Sequence, residues 1–233
     1  MASALFIGSS KVKIALISAN LNNIDVRVKH DSQILPTSVH LSDYYYTEEN
    51  FPLRSKSITP RMQAKIPKLF GWDLIPGFDI YIWLDASFKL TEHAVQWLLD
   101  QLQYADLAVF RHPSRNSILL EADHLIKRLT GKVMRSQYIC DRYTNEWLEE
   151  QLNAYLSDSS FLDNRLFACG CFIYRPTNTV KELMHNWWWH ITRYHINDQL
   201  SFPYVLSKSH VEFNTINSNI FKCPYLIYSR GDR

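Results

Sequence analysis

Residues 12–18, VKIALIS, are apolar or β-branched apart from Lys13 and Ser18, and the turn formers of ANLNN follow. This pattern predicts a buried strand that opens a sheet and ends in a loop. The segment VRVKHDSQILPTSVHLSDYYY alternates polar and apolar positions around Pro36, so shorter, more peripheral strands are expected there. In PRMQAKIPKLF, Met62, Ile66 and Leu69 share one helical side and Arg61, Lys65 and Lys68 another. Pro60 suits a helix start, whereas Pro67 is expected to kink or end the helix. DIYIWLD is apolar on both faces, the pattern of a central strand covered by helices. Thr91 stands where it could cap the next helix, EHAVQWLLDQLQ, in which Val95, Leu98, Leu99 and Leu102 keep helical spacing.

The same alternation runs to the end. ADLAVFRH reads as a buried strand, NSILLEADHLIKRL and NEWLEEQLNAYL as helices, and LFACGCFIYRP as a strand interrupted at Gly170. TVKELMHNWWWHITRY is a long helix in which Trp187, Trp188 and Trp189 cannot all face the core, so at least one is expected at the surface, free for a sugar ring or another subunit. NDQLSFPYVLSK follows, with Asp198 near a helix start. Strands alternating with helices predict an α/β fold with a mainly parallel, doubly covered sheet.

Composition narrows the picture. At 233 residues, with 46% hydrophobic and 21% charged residues and only six glycines, the chain is expected to form a single domain over residues 1–233 with an ordinary core. A net charge of +2, with Lys and Arg scattered, gives no footprint for nucleic acid. Cys140, Cys169, Cys171 and Cys223 match neither zinc-site spacing nor a secreted disulfide framework, so free, packing thiols are expected. MASALFIGSSKVKIALISANL is too interrupted for a signal peptide or a transmembrane span. The expectation is a soluble cytoplasmic protein, reaching membranes only through partners; a piece of a larger secretory-pathway protein would read the same.

Candidate chemistry gathers at strand ends, where ligands bind in open α/β sheets. Asp85 terminates an apolar strand, and Ser87 lies on the same side if the chain stays extended. On that feature alone a metal or ligand site and a turn cap are equally good readings. FRHPSRNS places Arg111, His112 and Arg115 after another strand, as a phosphate or acidic-sugar contact or as solubilising loop charges. Arg61 and Lys65, four apart, either reach a ligand or form a solvated helix face, and the second fate suits Lys68 better than its neighbours. Asp198 serves either a site or an N-cap.

Taken together, RMQAKIPKLFGWDLIPGFDIYIWLDAS and NDQLSFPYVL resemble the nucleotide-sugar glycosyltransferases of the type A fold. The resemblance is nearest to the plant cell-wall and mucilage glycosyltransferase-like domains and their bacterial relatives, over roughly Lys13 to Leu206 in element order. It implies a Rossmann-like domain that moves a sugar from a UDP- or GDP-linked donor to a glycan acceptor in polysaccharide biosynthesis, assisted by Mn²⁺ or Mg²⁺. It also implies roles: Asp85 and Ser87 at the metal, Arg61, Lys65, His112 and Gln199 at the donor, and Asp198 as base toward the acceptor or as donor-sugar contact. The chain departs from the type A Asp-x-Asp hallmark, since Ser87 replaces the second acid. That departure keeps a non-catalytic carbohydrate-binding or scaffolding domain of the same fold as an alternative. A sugar nucleotidyltransferase is another, although no Gly-rich phosphate loop follows the first strand.

Overall fold

VKIALIS becomes the core of strand β1 (Val12–Ala19), with Ile14 to Ile17 at most 1% exposed. The computed structural model describes residues 11–23, 25–52, 54–134 and 137–229, so the expectation for the first ten residues lies outside them. β1 lies between β2 (Val39–Tyr46) and β3 (Ile80–Leu84), parallel to both. β6 (Phe167–Tyr174) runs antiparallel between β3 and β5 (Leu107–Arg111), and β7 (Phe213–Ile216) closes the edge parallel to β5. The order β2-β1-β3-β6-β5-β7 is a mixed, mainly parallel six-stranded sheet, the α/β class expected from the alternation of elements. The segment around Pro36 yields one eight-residue edge strand rather than several short ones.

Two cores follow from strand alternation. On one face Ala15, Ile17, Tyr81, Trp83, Phe172 and Tyr174 pack against helices α1 (Pro60–Leu74), α6 (Asn178–Arg193) and α7 (Asp198–Ser207). On the other, Ile14, Leu16, Ile82, Leu84 and Ile173 meet α2 (Ala94–Leu102) and the two-stranded sheet of β4 (Phe88–Leu90) with β8 (Leu226–Tyr228). A third cluster joins α3 (Ile118–Leu129), α4 (Gln137–Tyr143) and α5 (Leu148–Leu156) to α7. None of the helices among the described residues is long and apolar enough to cross a membrane.

Several local expectations change. Pro67 does not end α1, which continues past it; the irregularity falls at Phe70 (φ −120°, ψ 26°), one turn later. A proline ring disturbs the preceding turn and removes one N–H, and here the packing of the helix on β1 outweighs that cost. Gly71 permits the close approach, because a Cβ there would sit 2.3 Å from Ile17 Cδ1. Thr91 does not cap α2: His93 is the N-cap residue, and the Thr91 hydroxyl donates to the backbone carbonyl of Tyr225 (3.3 Å). β6 runs through Gly170 as one strand, but its register with β5 slips there, from Val109↔Phe172 to Phe110↔Ala168, and Gly170 makes room for neighbours, since a Cβ there would lie 3.1 Å from the Phe88 ring and 3.4 Å from Asp85 Oδ2. Of the three tryptophans, Trp187 is fully buried, Trp188 half-buried and Trp189 exposed.

Candidate active site at the carboxyl edge of the sheet

β1, β3, β5 and β7 all point their carboxyl ends to one edge, and antiparallel β6 starts there. Backbone polar groups at such an edge lack ladder partners, which makes it the natural place for a ligand. A cleft of 760 Å³ opens at this edge, lined by residues including Lys65, Lys68, Asp85, Ser87, Asp198 and Gln199. A smaller recess of 130 Å³ continues it toward Asn20, Asp25 and Arg61.

Alternation along β3 sends Trp83 to the α1 side, and Asp85, two residues on, follows it. The Trp83 indole Nε1–H donates to Asp85 Oδ1 at 2.7 Å, fixing the carboxylate, which remains 44% exposed. The chain turns directly after Asp85, with Phe88 N–H bonded to Asp85 carbonyl oxygen at 2.9 Å, so Ser87 reaches the cleft from a turn rather than from an extended strand.

Opposite Asp85, helix α1 delivers Lys65 and Lys68, one turn apart. Thr59 caps this helix, its hydroxyl accepting from Met62 N–H. Contrary to the solvated-face reading, Lys68 is the more deeply buried, its side chain 3% exposed. Both ammonium groups donate to Asp198 Oδ2, Lys65 at 2.6 Å and Lys68 at 2.5 Å, and Lys68 Nζ stands 3.8 Å from Asp85 Oδ1. Trp83, Phe172 and Trp187 surround Lys68 Nζ, their ring centroids 5.6, 6.0 and 5.9 Å away, so cation–π attraction offsets part of its lost hydration. Asp198 does not cap α7; Asn197 does, accepting from Gln199 N–H. Trp187 and Ser201 instead bond to the Asp198 carbonyl oxygen, at 3.1 and 3.3 Å.

Charge and burial oppose each other in this cluster. Burial alone would raise the Asp198 pKa, but the two lysines outweigh it and hold the carboxylate well below the usual range. Burial would lower Lys68, yet Asp198 and Asp85 together raise it. Lys65 shares the one carboxylate without help from Asp85, and burial prevails, pulling it down to about 8. Asp198 is thus a carboxylate with one oxygen, Oδ2, engaged by two cations.

His112 lies elsewhere. It lines a neighbouring pocket of 530 Å³ with Arg111, Arg115 and Asn217, and its Nδ1 accepts from Ser114 and Arg115 N–H at 3.3 and 3.0 Å. Burial lowers it to about 4, so it is neutral, and Arg115 pairs with Glu121 beside it. Glu121 in turn accepts from Asn197 Nδ2 at 3.4 Å, linking this pocket to the start of α7. The structure therefore brings Lys65, Asp85, Ser87, Asp198 and Gln199 into one cleft, sets Arg61 in the adjoining recess, and leaves His112 apart. Sequence reasoning alone does not single out Glu121, Asn197 or Trp83; only Trp83 leaves a signal there, its spacing of two from Asp85.

The donor set bears on a divalent ion. Asp85 Oδ1 is engaged by Trp83, Asp198 Oδ2 by both lysines, and among the described residues no three His, Cys, Asp or Glu side chains gather as ligands. Mg²⁺ and Mn²⁺ take about six oxygen donors, most of them water or substrate phosphate but with one or two carboxylates from the protein, whereas the carboxylates here are engaged by an indole and two ammonium groups. The residues present do not fit a resident divalent ion.

The family model for the TOD1/MUCI70 glycosyltransferase-like domain matches residues 54–225. Among solved structures, the chain is similar to the apo form of the bifunctional glycosyltransferase WbbM, with 12% identity and a TM-score of 0.47 over 92% of this chain and 40% of that one. It is also similar to apo mouse xyloside xylosyltransferase 1, with 9% identity and a TM-score of 0.40 over 76% of this chain and 63% of that one. The chain thus spans less than two thirds of either protein. No curated protein matches the sequence. Since the matched segment runs from before helix α1 past Asp198 and takes in most of the chain, the protein belongs to the TOD1/MUCI70 glycosyltransferase-like domain family.

Proposed function

We propose that the carboxyl-edge cleft binds a nucleoside diphosphate sugar, UDP- or GDP-linked, and that the domain transfers its sugar to a glycan hydroxyl. The observation that carries this reading is a buried pair of lysines facing Asp85 at the carboxyl end of a central strand, inside the segment that the family model matches. In such a transfer the bond between the anomeric carbon and the diphosphate breaks, the diphosphate leaves with the electron pair, and the acceptor oxygen forms the new bond while its proton passes to the departing diphosphate or to solvent. Charge grows on the leaving group, so cations held in place beforehand lower the barrier. Of the expected donor contacts, Lys65, Asp85, Ser87 and Gln199 fall within this cleft and Arg61 beside it. In this reading Asp198 acts by holding the lysines.

A thermal-unfolding series with UDP, GDP and their sugar conjugates tests the donor site. A ligand at a hundred times its Kd stabilises the fold by about 2.7 kcal/mol. Absence of any shift with every nucleotide, with or without Mn²⁺, defeats the reading. The paired state of Asp198 also favours a second reading, a carbohydrate-binding domain without turnover. Nucleotide-independent glycan binding with no release of diphosphate in any donor and acceptor mixture selects that reading.

A further inference from the structure

Building on the donor-site reading, we infer that the Lys65–Asp198–Lys68 cluster takes the place of a divalent cation in neutralising the donor diphosphate, and that Asp85 accepts a hydrogen bond from a sugar hydroxyl instead of holding a metal. Three observations converge. First, the cluster stands at the cleft wall where the strand ends converge, with both ammonium groups held against one carboxylate oxygen. An ammonium has three N–H donors. Asp198 is the acceptor for one on Lys65, and Lys65 lines both the cleft and its recess, which sets its ammonium at the wall of the space a diphosphate would fill.

Second, the lining carries an excess of positive charge. Lys65, Lys68 and Arg128 face Asp85 and Asp198, while Glu121 is paired with Arg115. A further dication would meet two ammonium groups and one half-occupied carboxylate, whereas a diphosphate brings the missing charge. Third, the cluster is preorganised. The shared Asp198 oxygen holds both ammonium groups, aromatic rings surround Lys68, the Trp83 indole holds Asp85, and Trp187 and Ser201 bond the Asp198 backbone carbonyl, so little reorganisation is needed as the leaving group becomes more negative. Asp85, its side chain 44% exposed at the cleft, keeps carboxylate surface within reach of a sugar hydroxyl.

The test is calorimetric titration of UDP, GDP and their glucose conjugates into the full chain, once in EDTA and once in Mn²⁺. The expected result is a diphosphate Kd equal in the two buffers within about threefold, weakened about tenfold or more by Lys65→Met and largely retained by Lys65→Arg. Asp85→Asn is expected to spare the bare diphosphate and weaken the sugar conjugate severalfold. A Kd that tightens tenfold or more with Mn²⁺, or that Lys65→Met leaves unchanged, overturns the inference while the donor-site reading stands. Failure of every nucleotide to bind in either buffer overturns both. Lys68→Met is the harsher variant, and the comparison of EDTA with Mn²⁺ on the unaltered protein decides between the outcomes even if that variant does not fold.

Discussion

At the scale of single residues, Asp198 separates two roles. With Asn197 as the cap, Asp198→Asn leaves the start of α7 intact but takes from buried Lys65 its carboxylate and leaves buried Lys68 with Asp85 alone, at 3.8 Å. Removing one partner from a buried ion pair costs about 3–5 kcal/mol, so denaturant melts of the variant should show a large loss of stability. A near-neutral change would mean the lysines are solvated. The proton linkage has two opposite parts. Asp198 has a folded pKa below its ordinary 3.8, so its stabilisation is present above that value and is lost as the pH falls toward the folded one. Lys65 has a folded pKa near 8, below its ordinary 10.5, so the unfolded chain binds more protons between those values and the cost of burying the charge is relieved as the pH rises through that window. Diphosphate affinity should accordingly fall as the pH rises past about 8, and Lys65→Arg should flatten that profile, since a guanidinium stays charged. An affinity independent of pH in the unaltered protein would remove Lys65 from the contact. Asp85 was legible from sequence because a charge closing an apolar strand has few places to go. The lysine cluster was not, because helical spacing places Lys65 and Lys68 on one side without saying that α7 supplies a carboxylate there from 130 residues away.

At the scale of elements, the position of α1 on β1 determines where the lysines arrive. Gly71→Ala puts a methyl group against Ile17 Cδ1, and overpacking of that kind costs about 1–3 kcal/mol. Ile17→Val deletes the atom in question and costs about 0.5–1.5 kcal/mol by itself. The double variant should be more stable than the sum of the two losses implies, and strictly additive losses would show that the helix can shift away. Apolar spacing announces α1 but not its length: Pro67 signals a break, and only the packing of the continued turn on the sheet overrides it. Strand identities were readable from composition, whereas the antiparallel direction of β6 was not, because a strand buried on both faces looks the same in either direction.

At the scale of the whole molecule, the family match begins at residue 54, yet β1 and β2 lie before it and β1 is fully inside the sheet. We therefore expect the described chain to unfold in one cooperative transition, and a fragment of residues 54–225 to show none by calorimetry, since its β3 edge and the α1 face opposite β1 would be bare. A fragment that melts cooperatively would place the first two strands in a separable unit. The strand order has a further consequence for biosynthesis. β3 pairs on one side with β1, already made, and on the other with β6, which ends only at Tyr174. While the ribosome works through the intervening helices, the nascent sheet carries an open apolar edge, a template for pairing with other chains. Until β6 arrives, that edge is the place where the nascent chain is open to mispairing, a hazard the finished sheet no longer carries there.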